Sequence, residues 1–112
     1  MPIYHITERT EWENAIPLGE YKAPSLTDEG FIHASTLEQV IGTANLLFHG
    51  WSGLVLLVID PDRLKSELRY ELAPNTGQKF PHIYGPLNID AVERVVAFPP
   101  GTQGAFSLPS DL

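Results

Sequence analysis

The longest unbroken apolar run in the chain, Leu54-Val55-Leu56-Leu57-Val58-Ile59, has no polar face at all, and its short length and β-branched content predict a strand covered on both sides. Asp60-Pro61-Asp62 turns the chain directly after it. Elsewhere the apolar positions either alternate or recur at helical spacing. Residues 2–7 predict a first strand, and Thr7 is placed to cap a helix on which Trp12, Ala15 and Ile16 fall at i, i+3 and i+4 before Pro17 and Gly19 end it. A short strand is expected over residues 21–23, then a polar turn with Pro24, Asp28 and Gly30, then a second strand over residues 31–34. Ser35-Thr36-Leu37-Glu38 has the spacing of a capping box, and the stripe Leu37, Val40, Ile41, Ala44, Leu47 and Phe48 behind it predicts the main helix. Residues 68–72 alternate as a half-exposed strand, 80–84 form another, and 91–98 form the last. Strands outnumber helices, and the connections are too short for repeated βαβ units. The expected class is α+β, with mainly antiparallel sheets and two principal helices in a single domain over residues 1–98. Residues 99–112, rich in Pro, Gly and Ser, are expected to form a surface tail.

Composition narrows the function. With 112 residues, 43% of them hydrophobic and 19% charged, the chain has the make-up of a globular domain that folds without disulfides. No apolar run approaches the roughly 20 residues of a transmembrane helix, and the N-terminus has no basic region followed by an apolar stretch, so the expected location is cytoplasmic and no membrane partner is expected. The absence of cysteine excludes a thiolate nucleophile and Cys-ligated zinc. A net charge of −7 with only seven scattered Lys and Arg residues opposes DNA binding, because phosphate neutralisation needs clustered cations. A small ligand is the remaining partner.

The candidate chemistry lies in three histidine segments, Ile3-Tyr4-His5-Ile6-Thr7, Gly30-Phe31-Ile32-His33-Ala34-Ser35 and Phe80-Pro81-His82-Ile83-Tyr84-Gly85. Each sets an imidazole among strand-forming neighbours. Such residues are either separately satisfied core histidines or the walls of one polar pocket, and three with similar flanks favour the pocket. A strand that ends at His33 and passes into a capped helix gathers imidazole, the Ser35 and Thr36 hydroxyls and free backbone N–H groups, an arrangement suited to an anion. Tyr4, Tyr70 and Tyr84 offer ring faces, and Arg69 offers a phosphate fork. A metal held by His5, His33 and His82 competes with this reading, although no histidine pair has metal-ligand spacing and no acidic residue is expected to accompany the three closely as an orienting partner.

These segments, with Gly19-Glu20-Tyr21-Lys22-Ala23-Pro24-Ser25-Leu26, Val58-Ile59-Asp60-Pro61 and Pro81-His82-Ile83-Tyr84-Gly85-Pro86-Leu87, resemble domain-of-unknown-function family 952, a group of small bacterial proteins, over about residues 2–98. That family is in turn similar to the ADP-ribosyltransferase-like superfamily, which includes NAD-dependent ADP-ribosyltransferases and RNA 2′-phosphotransferases. The resemblance implies NAD or a related nucleotide as ligand, and with the residues singled out above the expected contacts are Tyr4, His5, His33, Ser35, Thr36, Arg69 and Tyr84. Tyr4-His5 matches the first-strand motif whose histidine meets a ribose, and His33 or its neighbour matches the position of a ring stacking on nicotinamide. The third motif carries a catalytic glutamate in many transferases, and its nearest match here is His82. Imidazole in place of carboxylate implies acid–base chemistry by His82 and His33 rather than ordinary protein ADP-ribosylation. A non-catalytic sensor or adaptor that keeps the cleft, and a His-ligated metal-binding protein, are the alternatives.

Overall fold

A computed structural model describes residues 1–112, and in it the uninterrupted apolar run is strand β4 (Leu54–Ile59), buried at every position. It is the middle strand of an antiparallel sheet, between β1 (Ile3–Glu8) and β8 (Val92–Ala97). Val55, Leu57 and Ile59, with Ile3, face a cluster that includes Trp12 of α1 (Arg9–Ala15), Tyr21, Ile32, Ile83 and Leu87. Leu54, Leu56 and Val58, with Tyr4 and Ile6, face Val40 and Ala44 of α3 (Leu37–Leu47) together with Phe98 and Phe106. A strand buried on two faces needs no polar alternation, and each leucine removed from water contributes about 1.5–3 kcal/mol.

A second antiparallel sheet has the order β3 (Ile32–His33), β6 (Lys79–Tyr84), β5 (Glu67–Leu72), and a short ladder pairs β2 (Glu20–Tyr21) with β7 (Leu87–Asn88). Ile32, Ile83 and Leu68 form one cross-strand row and point into the core. The next row, His33, His82 and Arg69, therefore points to the opposite face. The two sheets meet at a seam, where Tyr4 and Ser35 exchange backbone hydrogen bonds of 2.8 Å each. No helix is long and apolar enough to cross a membrane.

The architecture is α+β with antiparallel sheets, and several local expectations are corrected. Thr7 does not cap α1: Glu8 is the N-cap, and the Thr7 hydroxyl instead lies 2.9 Å from that of Tyr21. The segment from Pro24 to Gly30 is not a turn but a third helix, α2 (Pro24–Glu29), with Pro in its first turn and Gly30 closing it at φ 89°. The capping box of α3 is shifted by one residue. Its N-cap is Thr36, whose amide donates to Gln39 Oε1 at 3.1 Å, because the seam draws Ser35 into the sheet. Leu47, expected on the buried stripe, is 61% exposed. Beyond Phe98, the segment expected as a surface tail sends Phe106 back into the core, stacked on Phe98 with centroids 4.8 Å apart.

Candidate functional site

Side chains from β1, α2, β3, the end of α3 and the β5–β6 hairpin line a cleft of about 820 Å³, within the range that holds a drug-sized ligand. His5, His33 and His82 all reach its wall. They do so in three different ways.

His82 sits in the middle strand of the second sheet, and its ring is stacked on Phe31 with centroids 4.0 Å apart. Its Nδ1 lies 2.8 Å from Glu71 Oε1 on the neighbouring strand, and the same oxygen accepts from the Tyr84 hydroxyl. A carboxylate can only accept, so Nδ1 carries the proton and Nε2 of the neutral ring is left with its lone pair. Nε2 has no protein partner, yet the chain contains no buried side-chain nitrogen or oxygen without one, so this atom is open to solvent through the cleft. The Tyr84 and His82 donors hold the Glu71 carboxyl below the usual carboxylate range, and the same carboxylate pushes the Tyr84 phenol up.

His33 stands directly opposite His82 across the β3–β6 ladder, with ring centroids 5.4 Å apart, and lies at the rim, where its Nε2 meets Glu29 Oε2 at 2.8 Å. His5 belongs to the other sheet. Its Nδ1 donates across the seam to the carbonyl oxygen of His33, and its Nε2 lies 2.9 Å from the Tyr21 hydroxyl, which in turn lies 2.9 Å from Thr7 Oγ1. Because the carbonyl fixes the proton on Nδ1, Nε2 accepts from the phenol, and the Thr7 hydroxyl completes the chain as donor to Tyr21. Burial pushes the His5 imidazole down to about 4, so this chain is uncharged at neutral pH. Both nitrogens are occupied.

Tyr4, Ser35 and Tyr84 also line the cleft, whereas Thr36 and Arg69 do not. Tyr4 packs its ring into the core, and Ser35 Oγ is 3.3 Å from Thr43 Oγ1. Thr36 is engaged in capping α3. Arg69 lies with its guanidinium carbon 4.4 Å above the Tyr84 ring and bonds both oxygens of Glu67 at 2.8 and 3.0 Å. Tyr70 is half exposed and lies outside the cleft wall. Contrary to expectation, acidic residues do accompany two of the histidines: Glu29, four residues before His33 in the chain, bonds His33, and Glu71 of the neighbouring strand bonds His82. Glu71 and Phe31 are two cleft positions beside His82 that the sequence reading did not name as candidates. Alternation places Arg69 and Glu71 on one face of β5, but only the register of β5 on β6 brings that face to His82. No group of three or more His, Asp or Glu side chains is placed to hold a metal ion.

The chain matches, over residues 6–95, the family described as "Protein of unknown function (DUF952)". None of the curated proteins matches it. Among solved structures it is similar to the crystal structure of protein CC0527 from Caulobacter crescentus, at 34% identity over 96% of this chain and 95% of that one, with a TM-score of 0.88. The crystal structure of a double mutant of the same protein gives 33% identity over the same shares and a TM-score of 0.88. Its solution NMR structure gives 35% identity, 99% and 96% coverage, and a TM-score of 0.84. The antiparallel α+β fold is thus shared with an experimentally determined relative.

Proposed function

The chain belongs to the DUF952 family, and from the geometry of its cleft we propose that it binds a ring-bearing small molecule, NAD or a related nucleotide, on which His82 acts as general acid or base. One observation carries this reading: His82 has one ring nitrogen fixed by Glu71 and the other open to the cleft. An imidazole oriented by a carboxylate, with its second nitrogen facing a ligand space, is equipped to take or deliver a proton near neutral pH. Phe31 extends the flat wall on which a base or nicotinamide ring would lie. In this reading the domain is a compact relative of the ADP-ribosyltransferases or RNA 2′-phosphotransferases. The carboxylate toward the ribose comes from Glu71 on β5, and not from the third motif.

The test is a titration of the protein with NAD, ADP-ribose and a 2′-phosphorylated nucleotide, with zinc and nickel alongside, followed by amide chemical shifts. Saturable shifts around Phe31, Glu71 and His82 with a nucleotide are the expected result. Their absence at millimolar ligand removes the nucleotide, and tight stoichiometric metal binding abolished by His82→Ala replaces it with a metal. Binding without turnover of any of these compounds makes the domain a sensor or adaptor.

A further inference from the structure

The cleft has a sign. Glu8, Glu11, Glu29 and Glu71 line it, and no lysine or arginine does. Arg69, in the same cross-strand row as His33 and His82, lies over the Tyr84 ring and is paired with Glu67, and it does not form part of the cleft wall. The acceptors in the wall are also incompletely used. Glu71 receives both of its hydrogen bonds, from His82 and Tyr84, on Oε1, so Oε2 has no protein partner. The His82 side chain is only 9% exposed, and its Nε2 is an unpartnered acceptor that solvent reaches through the cleft. A ligand seated here therefore meets lone pairs and negative charge in a cleft whose wall also includes the aromatic side chains of Phe31, Phe80 and Trp51. Ring faces add attraction for a cation and none for an anion. The net charge of −7 sets the long-range field in the same direction.

We propose that the cleft selects a flat organic cation bearing N–H donors, of the amidinium, guanidinium or protonated aryl-amine class, bound by Glu71, and that it keeps phosphate groups out of its interior. This inference rests on the small-molecule reading of the cleft given above and adds the charge of the group that enters. A nucleotide obeys it by inserting only its ring and sugar, with the phosphates left in solvent.

Three probes of nearly identical shape separate charge from fit: benzamidine, benzamide and benzoate, titrated separately into the full chain and followed by amide shifts around Phe31, Glu71 and His82. Benzamidine is expected to bind about tenfold more tightly than benzamide, the usual gain when one partner of a hydrogen bond is ionised, and benzoate more weakly than either. Added salt weakens benzamidine and leaves benzamide unchanged. Glu71→Gln brings benzamidine to the level of benzamide, and if that variant does not fold, the wild-type series decides. Equal binding of the three, or benzoate binding as tightly as benzamidine, overturns the charge selectivity while the small-molecule cleft survives. Wild-type selectivity that persists in a folded Glu71→Gln variant overturns the assignment to Glu71. No saturable shift with any probe, together with none from the nucleotides, overturns the cleft reading itself.

Discussion

His5 and His82 have similar local sequences, each an imidazole in a strand of apolar neighbours, yet the two sheets use them oppositely. In the β1-β4-β8 sheet, β1 and β4 are buried on both faces, so His5 must satisfy both nitrogens within the protein, and burial keeps it neutral. The β3-β6-β5 sheet leaves one face to the cleft, so His82 satisfies one nitrogen and keeps the other open. What separates a structural histidine from a chemical one here is the number of covered sheet faces. Residue type is the same in both, and each is flanked by apolar residues with isoleucine next.

Mutations should reproduce that asymmetry. Leu56→Ala in the doubly covered strand is expected to lower stability by about 2–5 kcal/mol, and Leu72→Ala at the exposed edge by less than about 0.5 kcal/mol, both read from urea unfolding. Equal losses would mean that the second sheet is as closed as the first. The His5 effect is next. Its folded value of about 4 lies below the ordinary 6.5, so between those values the unfolded chain binds a proton that the folded chain refuses. The resulting stabilisation, about 3 kcal/mol, is complete above pH 6.5 and disappears as pH falls toward 4. Urea midpoints across that window should fall in wild type with a slope that His5→Gln reduces, and an unchanged slope would place the protonation elsewhere.

Smaller effects belong to the open sheet. His82→Ala should slow any reaction found in the cleft about 100-fold with ligand affinity largely kept, and a loss of affinity without loss of turnover would make His82 a binding wall. Glu71→Gln should bring the Tyr84 phenol back down toward its ordinary value, visible as an earlier rise in tyrosinate absorbance with pH. Arg69→Ala, an exposed ion pair beside a ring, should leave the unfolding midpoint unmoved within error. A clear shift there would show that the outer side of the sheet is tied down as firmly as the core.

The same asymmetry decided what could be read from the sequence. β4 was legible because double burial writes itself as an uninterrupted apolar run, and the main helix because its stripe is long. α2 was not, since Pro24 and Gly30 punctuate a turn and a one-and-a-half-turn helix equally well. Two capping boxes overlap at Ser35-x-x-Glu38 and Thr36-x-x-Gln39, and a long-range backbone bridge to Tyr4 chose between them. The three histidines were visible as residues with a shared setting. Glu71 was invisible, because its bond to His82 depends on how two strands are aligned and on no spacing within either.

The position of β4 also fixes an order of events during synthesis. Its partner β1 has already been made when residues 54–59 appear, but the other edge is closed by β8, with Val55 opposite Ala97. At about 5–20 residues per second, that edge stays bare for some seconds after β4 emerges. During that interval the chain exposes six consecutive residues with no charge and no proline, the composition that self-associates most readily. A copy that stops short of Val92 keeps that edge bare for as long as it exists.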